Sequence, residues 1–141
     1  MLCVLYAYGY LGILLVKILV VDDEAPICEL ARLILEDAGH TVITADNGEE
    51  AIRKARNDSP DLVLLDMVLP GMSGLDVCRV LKREADTKSI PVVMFTVLGR
   101  DSDKQIAKES GCDGYFVKPF AHADLVAEVE KHTRIVVPRS R

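Results

Sequence analysis

Five short apolar runs lie between Lys17 and Lys118, and four of them end on a polar or charged residue. Lys17–Val21 runs into Asp22-Asp23-Glu24, Leu62–Leu65 into Asp66, Pro91–Thr96 closes on Thr96 itself, and Tyr115–Val117 runs into Lys118-Pro119. Thr41–Ala45 is the remaining run. The first and third runs are aliphatic at successive positions instead of alternating, the pattern of strands buried on both faces of a parallel sheet.

Between the runs the period changes from two to about 3.6. Ile27, Leu30, Ala31, Ile34 and Ala38 fall at helical spacing, with Pro26 suited to a first turn and Gly39 to a stop. Asn47 followed by Glu50 resembles a capping box opening a helix that runs to about Asn57. Further helices are predicted over Leu75–Ala85, Asp101–Ser110 and Asp124–Thr133, the last with Leu125, Val126 and Val129 inward. Pro70, Gly71 and Gly74 mark a loop after the third strand. Five strand–helix alternations imply right-handed crossovers and an α/β fold: a doubly wound, five-stranded parallel sheet with helices on both faces.

With 141 residues, half of them apolar, the chain suits one domain with a real core. The predicted unit spans residues 16–133, with an apolar extension over residues 1–15 and a basic tail over 134–141. The extension and first strand together approach the length of a spanning helix. However, Lys17–Val21 are needed for the first strand and no linker separates them from the extension, so no membrane attachment is expected. The net charge of −5, with no Lys/Arg cluster, argues against direct nucleic-acid binding. Cys3, Cys28, Cys78 and Cys112 are far apart and form no CxxC pair. They are read as reduced thiols of a cytoplasmic protein, not as a metal or disulfide framework. His40, His122 and His132 are scattered and read as surface residues.

Functional residues of a doubly wound sheet collect at the carboxyl ends of its strands. Asp22, Asp23, Asp66, Thr96 and Lys118 all fall there. Singly, each has a plainer reading: a helix cap, a turn residue, a β-branched strand residue, a solvated charge. Together they describe a site. Three carboxylates at close quarters repel one another and raise each other's pKa, and a hard divalent cation relieves this. Few carboxylates with room for waters suit Mg²⁺. Lys118 adds positive charge, Thr96 a hydroxyl donor, and Asp66 is left to attack phosphorus and form an acyl phosphate.

The segments Val20-Val21-Asp22-Asp23-Glu24, Leu64-Leu65-Asp66-Met67-Val68-Leu69-Pro70-Gly71-Met72-Ser73-Gly74 and Tyr115-Phe116-Val117-Lys118-Pro119-Phe120 closely resemble the response-regulator receiver family, over about Val16 to Thr133. The resemblance implies a flavodoxin-like strand order 2-1-3-4-5 and a chemotaxis-regulator-like receiver that is no enzyme beyond its own phosphorylation and dephosphorylation, and it leaves open a stand-alone regulator, a relay to a histidine phosphotransfer protein or part of a longer chain. It implies that Asp66 accepts phosphate from a sensor histidine kinase or a histidine phosphotransfer protein. Asp23, Asp66 and the backbone carbonyl of Val68 would ligate Mg²⁺ directly, and Asp22 through water. Lys118 would pair with Asp66 and then with the phosphate. Thr96 and Tyr115 would act as the switch, and Pro119 matches a proline whose preceding peptide bond is often cis. The output would be an unidentified target protein met by the fourth helix, fifth strand and fifth helix.

On that face, Gly114 and Glu128 stand where a dimerising subfamily carries an acidic residue and an arginine. A monomer or a weak phosphorylation-dependent dimer is therefore expected. Apolar Val68 and Leu98 flank the acceptor and cannot orient a water, which points to slow self-dephosphorylation.

Rival readings are weaker. An aspartate-nucleophile phosphatase of the haloacid-dehalogenase type would want an Asp where Val68 stands. A flavodoxin-like FMN carrier would want a phosphate loop where Asp22-Asp23-Glu24 stand. A degenerate receiver used only for binding would lack some of the five polar residues.

Overall fold

The computed structural model describes residues 15–133. The apolar extension up to residue 14, with Cys3, and the tail 134–141 lie outside the described residues. Strands and helices alternate throughout: β1 (Lys17–Val21), α1 (Ala25–Asp37), β2 (Thr41–Ala45), α2 (Gly48–Asp58), β3 (Leu62–Leu65), α3 (Gly74–Arg83), β4 (Val92–Thr96), α4 (Asp101–Glu109), β5 (Gly114–Val117) and α5 (His122–Thr133). All strand pairs are parallel, in the order β2-β1-β3-β4-β5. Element ends differ from the sequence reading by one or two residues: α3 begins at Gly74 and stops at Arg83, and α5 begins at His122.

β3 and β4 are buried at every position, and β1 at every position after Lys17. The sheet therefore divides the core in two. Leu19, Val21, Leu65, Met94, Val77 and Leu81 pack on one face, and Ile18, Val20, Leu64, Phe95, Leu35 and Leu125 on the other. Each fully buried aliphatic side chain contributes about 1.5–3 kcal/mol of transfer free energy.

Local signals explain the helix ends. Asn47 Oδ1 accepts the Glu50 N–H at 2.9 Å, as a capping residue should. The reciprocal arm lands one residue early, with Glu50 Oε1 accepting the Asp46 N–H. Gly39 and Gly111 adopt φ of +99° and +96°, the left-handed conformation that ends helices and favours glycine. On the edge strand β2, Arg32 and Lys54 donate to the outward carbonyls of Val42 and Thr44 at 2.9 and 2.5 Å, which blunts an otherwise open edge.

Two packing expectations fail. Leu30 in α1 is 46% exposed, and the helix buries Cys28, Ala31, Ile34 and Leu35 instead. His40 is buried, and its Nδ1 accepts the Val16 N–H at 3.2 Å. Position after a glycine stop looks like surface, but the His40 N–H closes on Leu35 O at 3.0 Å and the ring turns inward to the Val16 N–H just before β1. His132 is half-buried and meets Glu128 at 2.9 Å, whereas His122 is exposed. Cys28 and Cys78 are buried free thiols and Cys112 is half-buried. No helix among the described residues is long and apolar enough to cross a membrane.

Candidate functional site

Parallel strands deliver their carboxyl ends to one edge, and the last hydrogen bonds of the ladder fix the depth of each functional residue. The Asp22 N–H donates to Ala45 O at 3.1 Å, the Asp66 N–H to Val21 O at 3.0 Å, and the Lys118 N–H to Thr96 O at 2.7 Å. Each functional backbone position is thus the step just beyond an apolar strand.

Three carboxylates meet there. One oxygen from each of Asp22, Asp23 and Asp66 lies within 4.8 Å of the others. Asp22 is fully buried, Asp66 nearly so, and Asp23 is exposed. Lys118, also buried, bridges the two inner carboxylates, with Nζ 2.5 Å from Asp22 Oδ2 and 3.2 Å from Asp66 Oδ2. The sequence reading paired Lys118 with Asp66; the structure adds Asp22 as the nearer partner. The other oxygen of Asp22 accepts the Glu24 N–H at 2.9 Å, and Asp66 Oδ1 accepts the Val68 N–H at 3.1 Å. Both inner carboxylates are therefore held from two sides.

Burial pushes the Asp66 carboxyl above the usual carboxylate range. The Val68 N–H and Lys118 pull it down, Asp22 pushes it up, and the net direction is upward. Repulsion from Asp22 adds to the rise, but loss of solvent is its larger cause. For Lys118, burial opposes the charge, but the bonds and attraction to Asp22 and Asp66 outweigh it, and the net shift is upward. Lys118 is thus firmly an ammonium.

Three carboxylates against one ammonium leave an excess of hard, anionic oxygen at the mouth of a cavity of about 430 Å³ lined by Asp23, Asp66, Val68, Val97 and Lys118 among others. Such a donor set, with one member facing solvent, fits a cation that keeps several waters, as Mg²⁺ does.

Thr96 is fully buried at the end of β4, and its Oγ1 accepts the Leu98 N–H at 3.4 Å. Tyr115 lies half-buried on β5, and its hydroxyl donates to Leu98 O at 2.5 Å. Both proposed switch residues therefore engage the same residue of the β4–α4 loop. Burial raises the Tyr115 phenol. The Lys118–Pro119 peptide is cis. At Gly114, an added Cβ would stand 2.7 Å from His132 Nε2 and 3.2 Å from Glu128 Oε2.

Two residues of the site escaped the sequence reading. Gly74, read only as a loop marker, is the first residue of α3, and a Cβ there would fall 1.9 Å from the Asp66 carbonyl oxygen. Its distance from Asp66 along the chain, together with a loop of two further residues with turn preference, was the available signal. Phe95 places its ring 5.1 Å from Lys118 Nζ, a contact that only the pairing of β4 with β5 reveals.

The family model for the response regulator receiver domain matches residues 18–130. The chain is 43% identical over 122 residues to the phosphate regulon transcriptional regulatory protein PhoB of Klebsiella pneumoniae, covering 86% of this chain and 53% of that protein. It is 40% identical over 127 residues to the alkaline phosphatase synthesis transcriptional regulatory protein PhoP of Bacillus subtilis, covering 88% and 52%. The chain spans about half the length of the curated relatives it matches. Among solved structures, it is similar to the chemotaxis response regulator CheY4 of Vibrio cholerae, with TM-score 0.80 and 31% identity over 84% of this chain and 99% of that one. It is also similar to the BeF3-activated N-terminal receiver domain of Klebsiella pneumoniae RstA, with TM-score 0.76 and 30% identity over 84% and 99%. Fold, site edge and these matches agree: the chain belongs to the response regulator receiver family of two-component signalling.

Proposed function

We propose that Asp66 accepts a phosphoryl group from the phosphohistidine of a sensor kinase or a histidine phosphotransfer protein. The observation that carries this is the seating of Asp66: a buried carboxylate at a strand end, held by Lys118 and flanked by Asp22 and Asp23. Asp23, Asp66 and the Val68 carbonyl would hold Mg²⁺, with Asp22 acting through water. The ion, when bound, supplies charge neutralisation for the carboxylates and for the transferring oxygens.

The chain's own residues do the rest. The Val68 N–H occupies Asp66 Oδ1, and Lys118 attends Oδ2. As the bond to phosphorus forms at one carboxylate oxygen and the donor's P–N bond breaks, Lys118 follows the negative charge onto a phosphoryl oxygen. Buried Thr96 offers its hydroxyl to another. That movement takes Thr96 Oγ1 from the Leu98 N–H and frees the loop that Tyr115 also holds. The change is then read on the α4, β5 and α5 face by a target protein. There the Glu128–His132 pair above Gly114 replaces the acidic–arginine pairing of a dimerising subfamily, so the phosphorylated chain stays a monomer or a weak dimer.

Borohydride reduction tests the acceptor directly, because it converts an aspartyl phosphate to homoserine. After incubation with acetyl phosphate and Mg²⁺, peptide sequencing by mass spectrometry should find homoserine at position 66. Homoserine at another aspartate instead would refute the assignment.

A further inference from the structure

Phe95 precedes Thr96 at the end of β4 and is the bulkiest of the fully buried side chains. Its ring faces the site: Lys118 Nζ lies over it, 5.1 Å from the centroid. Two other aromatic rings hold it in place. Phe116 stacks on it with 6° between planes at 6.1 Å, and Phe120 tilts against it at 5.3 Å. The other apolar residues of β4, Val92, Val93 and Met94, carry no ring. What an aliphatic side chain would not supply is a negative face toward a buried cation.

That face matters because of how the cation is held. An ammonium carries three donors, and the bonds to Asp22 and Asp66 account for two. A ring face takes positive charge without competing for carboxylate oxygens, and it counts for most where water is excluded. The contact is also indifferent to which oxygen Lys118 addresses, so it persists when the ammonium shifts from one acceptor to another.

We propose that Phe95 is a positioning residue, whose ring face seats the Lys118 ammonium between Asp22 and Asp66 and keeps it seated as charge moves outward from Asp66. The second half of this rests on the phosphoacceptor role proposed above; the first half does not.

The test replaces Phe95 with mono-, tri- and pentafluorophenylalanine, which cancel the ring's negative face stepwise at nearly constant size, and with Leu. Solvent exchange of the Lys118 ammonium protons is read by ¹⁵N NMR on the unphosphorylated protein, alongside the rate of Asp66 phosphorylation by acetyl phosphate. Exchange should accelerate in order of fluorination, reaching about tenfold for the pentafluoro ring and Phe95→Leu. The amide signals of β4 and β5 should stay in place, and the phosphorylation rate should fall in the same order. Equal exchange across the series would reduce Phe95 to core packing and overturn the proposal. Graded exchange with a flat phosphorylation rate would overturn its role in transfer. A chain that took no phosphate at all would sink the proposed function, while the exchange series would still decide whether the ring seats the lysine.

Discussion

Lys118 Nζ lies 2.5 Å from Asp22 Oδ2, closer than to Asp66, and both partners are buried. The lysine therefore belongs to the inner carboxylate pair as a whole. Removing one partner of a buried ion pair leaves uncompensated charge, which typically costs 3–5 kcal/mol. Lys118→Met should lower unfolding stability by about 3 kcal/mol or more without Mg²⁺, with part of the loss recovered on adding the ion. Urea midpoints with and without Mg²⁺ measure both quantities. A variant as stable as the parent in the absence of metal would show that the carboxylates need no such partner.

Gly74 sits where α3 crosses behind Asp66. An alanine Cβ there would overlap the Asp66 carbonyl oxygen, which is backbone and cannot rotate away. Gly74→Ala should cost about 1–3 kcal/mol and slow phosphorylation, because relief of the clash moves Asp66 itself. Gly71→Ala is the control. Gly71 has φ of +73° and open space around it, so its cost is a backbone cost of about 1 kcal/mol, with phosphorylation unchanged. If both variants phosphorylated at the parental rate, the close approach of α3 to Asp66 would have no functional weight.

Burial lowers the His40 pKa, with Glu130 opposing in part, and Nδ1 must stay unprotonated to accept the Val16 N–H. The unfolded state, titrating near 6.5, then binds more protons than the folded one below that pH. Stability is full above pH 6.5 and falls as the pH drops toward the depressed folded value, by at most about 1.4 kcal/mol per pH unit. His40→Asn keeps an acceptor in place of Nδ1 and should flatten that slope. Unfolding curves at pH 7.5 and 5.5 for both proteins decide it; an equal slope in the variant would assign the effect elsewhere.

Val68, two residues after Asp66, is 56% exposed at the mouth of the site. Its side chain offers nothing to orient a water for attack on phosphorus. Val68→Asn should shorten the lifetime of the phosphorylated state several-fold, followed as loss of the added mass after removal of the phosphodonor. An unchanged lifetime would contradict the reading.

The alternation of elements and the convergence of Asp22, Asp23, Asp66, Thr96 and Lys118 on one edge were legible because each depends on strand ends, which apolar runs mark sharply, whereas the strand order came only from the motifs that resemble the receiver family. What the sequence concealed depends on contacts between strands. Nothing along the chain distinguishes Asp22 from Asp66 as the nearer partner of Lys118, since that depends on where β5 places a side chain across three strands. The ring of Phe95 under Lys118 was hidden for the same reason. His40 was misread because a polar residue behind a glycine stop carries no mark of the turn that buries it, and Leu30 because helical spacing alone does not say which of two adjoining apolar stripes faces the sheet.

Phosphoacceptance at Asp66 is tested most simply by the intact mass of the protein after incubation with acetyl phosphate, with and without Mg²⁺, beside Asp66→Asn. The parent should gain one phosphoryl group with Mg²⁺ and none without it, and the variant should gain none. An equal gain in Asp66→Asn would rule out Asp66 as the acceptor.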